Sequence, residues 1–211
     1  VDGITPVPKS LAQNALTISV DKMIDLNWYD DALYATKGYY ELMDANDLYG
    51  FAYASLTDDF RGKVVKLGAN IDVNIGTATE NGWVKADING TDYNWTPIGA
   101  GNPFAGTFDG QGYTITGIYL KTTTRASGLF SATTGDAVIK DFRLKNSYYE
   151  TSNFRMGSIV AEFSGRMNSV YSDAIMKCDK SKNRFGGLIG IINGATTISN
   201  CQFAGTLSTG D

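Results

Sequence analysis

The chain has 211 residues, with 18 Lys+Arg against 22 Asp+Glu and a net charge of −4. This acidic balance, with no basic cluster, argues against a nucleic-acid partner, because phosphate binding depends on a basic face. There is no histidine, which excludes Ser/His/Asp and Cys/His nucleophile systems, an imidazole base and a His-ligated zinc. The 24 glycines, 4 prolines and 43% hydrophobic residues describe a globular, turn-rich, strand-favouring chain. No apolar run approaches the roughly 18 residues of a membrane span. Cys178 and Cys201 are too few for a four-ligand metal site and are expected as two thiols rather than a disulfide. No cofactor or metal is expected.

In chain order, residues 1–14 hold Pro6 and Pro8 but no apolar period, and read as a leader or linker. Leu16, Ile18 and Val20 alternate with polar residues as in a short strand, and Asp21 to Tyr40 is aromatic without a clean period. From Asp44 to Leu56, the residues Leu48, Phe51, Ala52 and Leu56 recur at helical spacing behind an Asp44 that can cap the first turn. Gly50 inside this helix costs about 1 kcal/mol against Ala, so packing must stabilise it. After Gly62 the period becomes two, with Val65, Leu67, Ala69, Ile71 and Val73 on one face. Residues 74–94 form a polar excursion carrying Trp83, of a length at which loops are commonly functional.

The C-terminal half repeats itself. Four segments share an apolar-x-x-apolar-x-apolar template: Ile115 to Leu120, Ile139 to Leu144, Met167 to Ser172 and Ile198 to Phe203, separated by 24, 28 and 31 residues. Between them returns a glycine motif: Gly128-Leu-Phe130, Gly157-Ser-Ile-Val160 and Gly186-Gly-Leu-Ile-Gly190. Units of two or three short strands joined by Gly/Asn/Ser/Thr corners cannot fold alone, and survive by stacking. The predicted fold is all-β, a parallel β-helix or β-solenoid, right-handed by the general preference for parallel crossovers, with an N-terminal capping α-helix. The organisation expected is a linker and short strand over 1–38, the capping helix over 39–60 and the solenoid over 61–211. The C-terminal end has no matching cap, so either further coils follow or that end pairs with another molecule.

Trp95-Thr-Pro-Ile-Gly99, Phe104-Ala-Gly-Thr-Phe-Asp-Gly-Gln-Gly-Tyr-Thr-Ile115, Gly128-Leu-Phe130 and Gly186-Gly-Leu-Ile-Gly190 resemble the GLUG-motif proteins of bacterial cell surfaces, including the non-catalytic repeats of IgA-specific metallopeptidases. The resemblance covers roughly residues 39–211. It implies a secreted or outer-surface bacterial protein, often a segment of something longer. Any membrane association would be peripheral, through a lipid anchor absent from this chain, and the usual role is interaction rather than catalysis. Gly157 to Val160 is a degenerate copy, and the 74–94 excursion is longer than the family leads one to expect, which makes it a place for individual function.

Several motifs carry both a functional and a structural reading. Trp95, Pro97, Phe104 and Phe108 could form a sugar platform, but a proline and glycines at fixed offsets fit a turn that packs aromatics better. Asp109-Gly110-Gln111-Gly112 lacks the several carboxylates of a calcium site and reads as a tight turn. Asn89-Gly-Thr and Asn94-Trp-Thr match the glycosylation acceptor pattern and are assigned no function. Stacking the four template copies predicts outward files: Gly117, Asp141, Ser169, Asn200; Tyr119, Arg143, Tyr171, Gln202; and Lys121, Lys145, Asp173, Ala204. No file holds the two carboxylates, about 5 to 9.5 Å apart, of a glycoside-cleaving site, so the repeats read as non-catalytic. The Tyr119, Arg143, Tyr171 file is the best binding candidate, with planar groups one coil apart suited to a sugar or peptide. Tyr148 and Tyr149 would extend it, with Trp83 in the excursion as a further candidate. The expected partner is a glycan or an extracellular protein; the alternatives are a rigid spacer in a larger surface protein and, less favoured, a polysaccharide-degrading enzyme.

Overall fold

The computed structural model describes residues 24–86, 94–123, 126–152, 155–178 and 184–209. The leader, the predicted strand over 15–20 and Asn89 lie outside them. The described chain is a parallel β-solenoid of about 5 turns with two short helices near its N-terminus. Each full turn has a long face, a second face, a short two-residue strand and a return face carrying the glycine motif. In one complete rung these are Val138–Lys145, Tyr148–Thr151, Arg155–Met156 and the start of Val160–Ser172, which bends round a corner at Gly165 into the next long face.

Parallel pairing puts side chains of one type above each other, roughly 4.8 Å apart. Along the long face Phe108, Ile139, Met167 and Ile198 are in register, as are Ile115, Leu144, Ser172 and Phe203. The predicted file is therefore right for Ile139, Met167 and Ile198 and wrong for Ile115, whose place is taken by Phe108. The cause is local. Gly110, Gln111, Gly112 and Tyr113 stand where the next rung has only Asp141 and Phe142, and this turn splits the first rung into Thr107–Asp109 and Thr114–Thr116. Ile98 bridges Phe130, which pairs with Val160, and Val160 with Ile189. The Trp95 to Gly99 block is thus the return face of the rung beneath Gly128-Leu-Phe130.

Helix α1 (Asp31–Lys37) was not anticipated; it starts on an Asp30 cap, ends on a left-handed Gly38 and buries no residue. Helix α2 (Ala45–Ala54) follows the expected Asp44 cap, whose carboxylate accepts from the backbone N–H groups of Asn46 and Asp47. It closes the N-terminal end: Phe51 packs against Phe60, Phe104, Phe108 and Phe130, and Trp28 joins the cluster from before α1. The helix stops short of Leu56, which is exposed. Gly50 has a steric reason, since a Cβ there would come within 1.9 Å of the Asp25 carbonyl oxygen. At the other end, Ile192, Ile198 and Leu207 are 52%, 42% and 44% exposed, whereas their register partners Phe163, Met167 and Met176 are buried.

The described part of the excursion up to residue 86 holds a hairpin, Gly76–Thr79 paired antiparallel with Gly82–Lys85. Asn146 holds it to the solenoid: its Nδ2 donates to the Gly76 carbonyl (2.9 Å) and its Oδ1 accepts from the Ala78 N–H (2.9 Å).

Candidate functional site

The long face bends at one residue per rung. Asp141, Ser169 and Asn200 have φ of 58°, 54° and 53°, the left-handed region where Asn, Asp and Gly are tolerated best. Beyond this corner Arg143, Tyr171 and Gln202 stand in register on three successive strands, above Thr114. The two sets line an open groove of about 380 Å³. The Arg143 guanidinium is 5.5 Å from the centre of the Tyr171 ring, and the Lys145 ammonium approaches the same ring at 5.9 Å.

Below the groove runs a polar file of Asp109, Lys140, Asn168 and Ser199. Lys140 ties together two carboxylates, Asp109 at 2.7 Å and Asp141 at 3.1 Å, and the Asn168 Nδ2 donates to the Ser199 Oγ (2.6 Å). Burial alone would raise the Asp109 carboxyl, but hydrogen bonds from Lys140 and Gln111 together with the lysine charge hold it below the usual carboxylate range. A carboxyl held ionised in this way is a poor proton donor. Asp109 to Gly112 forms a tight turn, with the Gln111 N–H donating to Asp109 Oδ1. Among the described residues no group of three or more Cys, Asp or Glu could hold a metal ion.

The structure divides the predicted binding residues among three places. Tyr119 does not stack with Arg143 and Tyr171. It pairs with Tyr148 on the second face, because the apolar template of that copy begins at Ile115, which is in register with Leu144 and not with Ile139. The two rings are stacked, 6.3 Å apart and 19° from parallel, and Trp83 of the hairpin lies 6.1 Å from Tyr119. Tyr148 is buried, with its hydroxyl donating to Glu150. Tyr149 does not extend a surface at all; it points into the core, fully buried. The second face also carries a pocket of about 360 Å³, where Lys121 and Glu150 pair at 2.9 Å. Burial would raise the Glu150 carboxyl, yet Lys121 and Tyr148 bring it below its ordinary value.

Trp95, Phe104 and Phe108 are buried, and the Trp95 Nε1–H donates to the Leu129 carbonyl (3.1 Å); they pack the coil and offer no platform. Asn94 has its side-chain oxygen engaged by the Lys121 N–H (2.7 Å). No disulfide joins Cys178 to Cys201. Sequence reading missed the Asp109, Lys140, Asp141 triad and the Asn146 clamp. Spacing carries no signal for either, since both join residues a coil or more apart.

No family model, no curated protein and no solved structure matches the chain.

Proposed function

We propose that this chain is a non-catalytic binding module of a bacterial surface protein, of the GLUG-repeat kind, which holds a glycan along the Arg143, Tyr171 and Gln202 file. The observation that carries the reading is the groove itself: an exposed guanidinium and a phenol ring on successive strands, with Asp141, Ser169 and Asn200 alongside as hydroxyl partners. A planar ring stacks on a pyranose face, and short polar side chains meet its hydroxyls. A protein partner would call for a desolvated apolar anchor pocket, and this groove is shallow and polar-lined. The resemblance of the glycine and Trp-x-Pro-Ile-Gly blocks to surface repeats supports a location outside the cell and an interaction role rather than catalysis.

The test is an array of bacterial, plant and mucin glycans together with extracellular-matrix proteins, probed with the chain and with its R143A and Y171A variants. Saccharide binding lost in both variants, at unchanged melting temperature, is the expected result. Binding confined to proteins would replace the glycan, and no binding anywhere would leave a spacer.

A further inference from the structure

The charge pattern around Tyr171 narrows the ligand. Six of the thirteen described Lys and Arg residues pair with a carboxylate within the fold. Lys37 pairs with Glu41, Lys63 with Asp31, Lys121 with Glu150, Lys140 with Asp109 and Asp141, Arg61 with Asp59 and Asp136, and Arg155 with Glu162. Lys66, Arg166, Lys177 and Arg184 have no such partner among the described residues, and the same holds for Arg143 and Lys145, which stand together on one strand. Among the described residues neither has a carboxylate within 4.0 Å, and both converge on the one ring. They alternate along a strand, so their Cα atoms are roughly 6.6 Å apart on the same face. The one carboxylate that lines the groove, Asp141, is held by Lys140. On a chain of net charge −4, the groove is therefore a local cationic spot with a stacking surface at its centre.

A guanidinium without an internal partner is a fork for a planar anion, because it donates two parallel hydrogen bonds to a carboxylate. An ammonium on the same face adds a second point charge without geometric demand. Given the glycan reading above, on which this step rests, we infer that the bound saccharide is acidic. Its rings bear anionic groups that Arg143 and Lys145 engage while Tyr171 stacks against a sugar face. A uronic acid carboxylate and a sulfate ester share this chemistry, and the planar fork suits the carboxylate best.

The experiment is titration calorimetry of the chain against three matched probes: an oligogalacturonate, the same oligosaccharide with its carboxyls reduced to alcohols, and a sulfated but uronate-free oligosaccharide. Oligogalacturonate is expected to bind at least tenfold more tightly than its reduced form, with affinity falling as salt rises from 50 to about 500 mM. R143A and K145A should each weaken it about tenfold or more and abolish the salt dependence in part, while K37A, a remote charge control, leaves it unchanged. Melting temperatures and circular dichroism establish that the variants fold. Preferential binding of the sulfated probe supports the anionic site and identifies sulfate as its source. Equal binding of the reduced oligosaccharide, or unchanged affinity in folded R143A and K145A, overturns the acidic-ligand inference and leaves the glycan reading standing. Binding of no saccharide on the array or in the calorimeter overturns both.

Discussion

Tyr119 and Tyr148 occupy the same register position on adjacent strands, their rings stacked 6.3 Å apart. Tyr148 is buried beside Glu150, and Tyr119 is half-buried under Trp83. Y148A is expected to cost about 3 kcal/mol, as for other buried aromatic truncations. Y148F should cost only about 1 kcal/mol through the lost hydrogen bond to Glu150, and Y119A about 1 kcal/mol. Urea unfolding of the three variants checks the order. Equal losses from Y148F and Y148A would show that the hydroxyl, not the ring, dominates.

Glycine 157 marks a place where backbones of successive rungs touch. A Cβ there would come within 2.4 Å of the Val160 oxygen and 2.6 Å of the Gly190 nitrogen, and one on Gly128 within 2.5 Å of the Gly157 oxygen. Neither neighbour is a side chain that could move aside. G157A is expected to destabilise by roughly 1–3 kcal/mol through overpacking, whereas G135A, with nothing within 4 Å, should be neutral or slightly stabilising. Thermal unfolding of the pair distinguishes a steric requirement from a general intolerance of alanine.

Ser169 holds the left-handed corner between an aspartate and an asparagine on the neighbouring rungs. Serine suits that conformation less well than asparagine does. S169N should therefore raise stability by a few tenths to about 1 kcal/mol, and S169V should lower it by about 1–2 kcal/mol. Differential scanning calorimetry gives both signs in one comparison.

Lys140 makes stability depend on pH at both extremes. The Asp109 carboxyl is depressed in the fold, so its contribution is complete above the unfolded value of about 3.9 and vanishes as pH falls through the folded one. The Lys140 ammonium is raised by its hydrogen bond to Asp109, against some desolvation. Its contribution is complete below about 10.4 and vanishes as pH rises through the folded value. Asp47 has the opposite sign, its carboxyl raised by burial despite the Met43 N–H, so the two effects are separated by difference. The gap in melting temperature between the natural chain and K140M should be widest between about pH 5 and 9, and should narrow on either side. A constant gap would show that Lys140 acts through packing alone.

Much of this architecture is legible in the residues. The period of the glycine motifs announces stacking, and Asp44 with Leu48 and Phe51 announces the helix, because each signal is local and repeated. The registration of Arg143 with Tyr171 and Gln202 also follows from the template. Tyr119 was misplaced because Ile115, Ile118 and Leu120 happen to satisfy the same template five residues out of phase with Arg143, which pairs with Thr114, past a turn that no periodicity reveals. Tyr149 was misread for a related reason: on the second face Tyr148 and Tyr149 point to opposite sides, and two adjacent tyrosines give no indication of which one turns inward. The hairpin's attachment depends on Asn146, a residue 70 positions from Gly76, and α1 rests on caps rather than on an apolar stripe.

The corner residues Asp141, Ser169 and Asn200 have a consequence for how such a surface changes over time. By turning the strand once per rung, they separate the side chains that fill the interior from those that meet the solvent. Each coil contributes a pair of letters to the groove, Asp141 with Arg143, then Ser169 with Tyr171, then Asn200 with Gln202, and exchanging the second letter of a pair leaves the apolar interior undisturbed. Under the binding role proposed above, specificity can be rewritten one coil at a time, without a new fold.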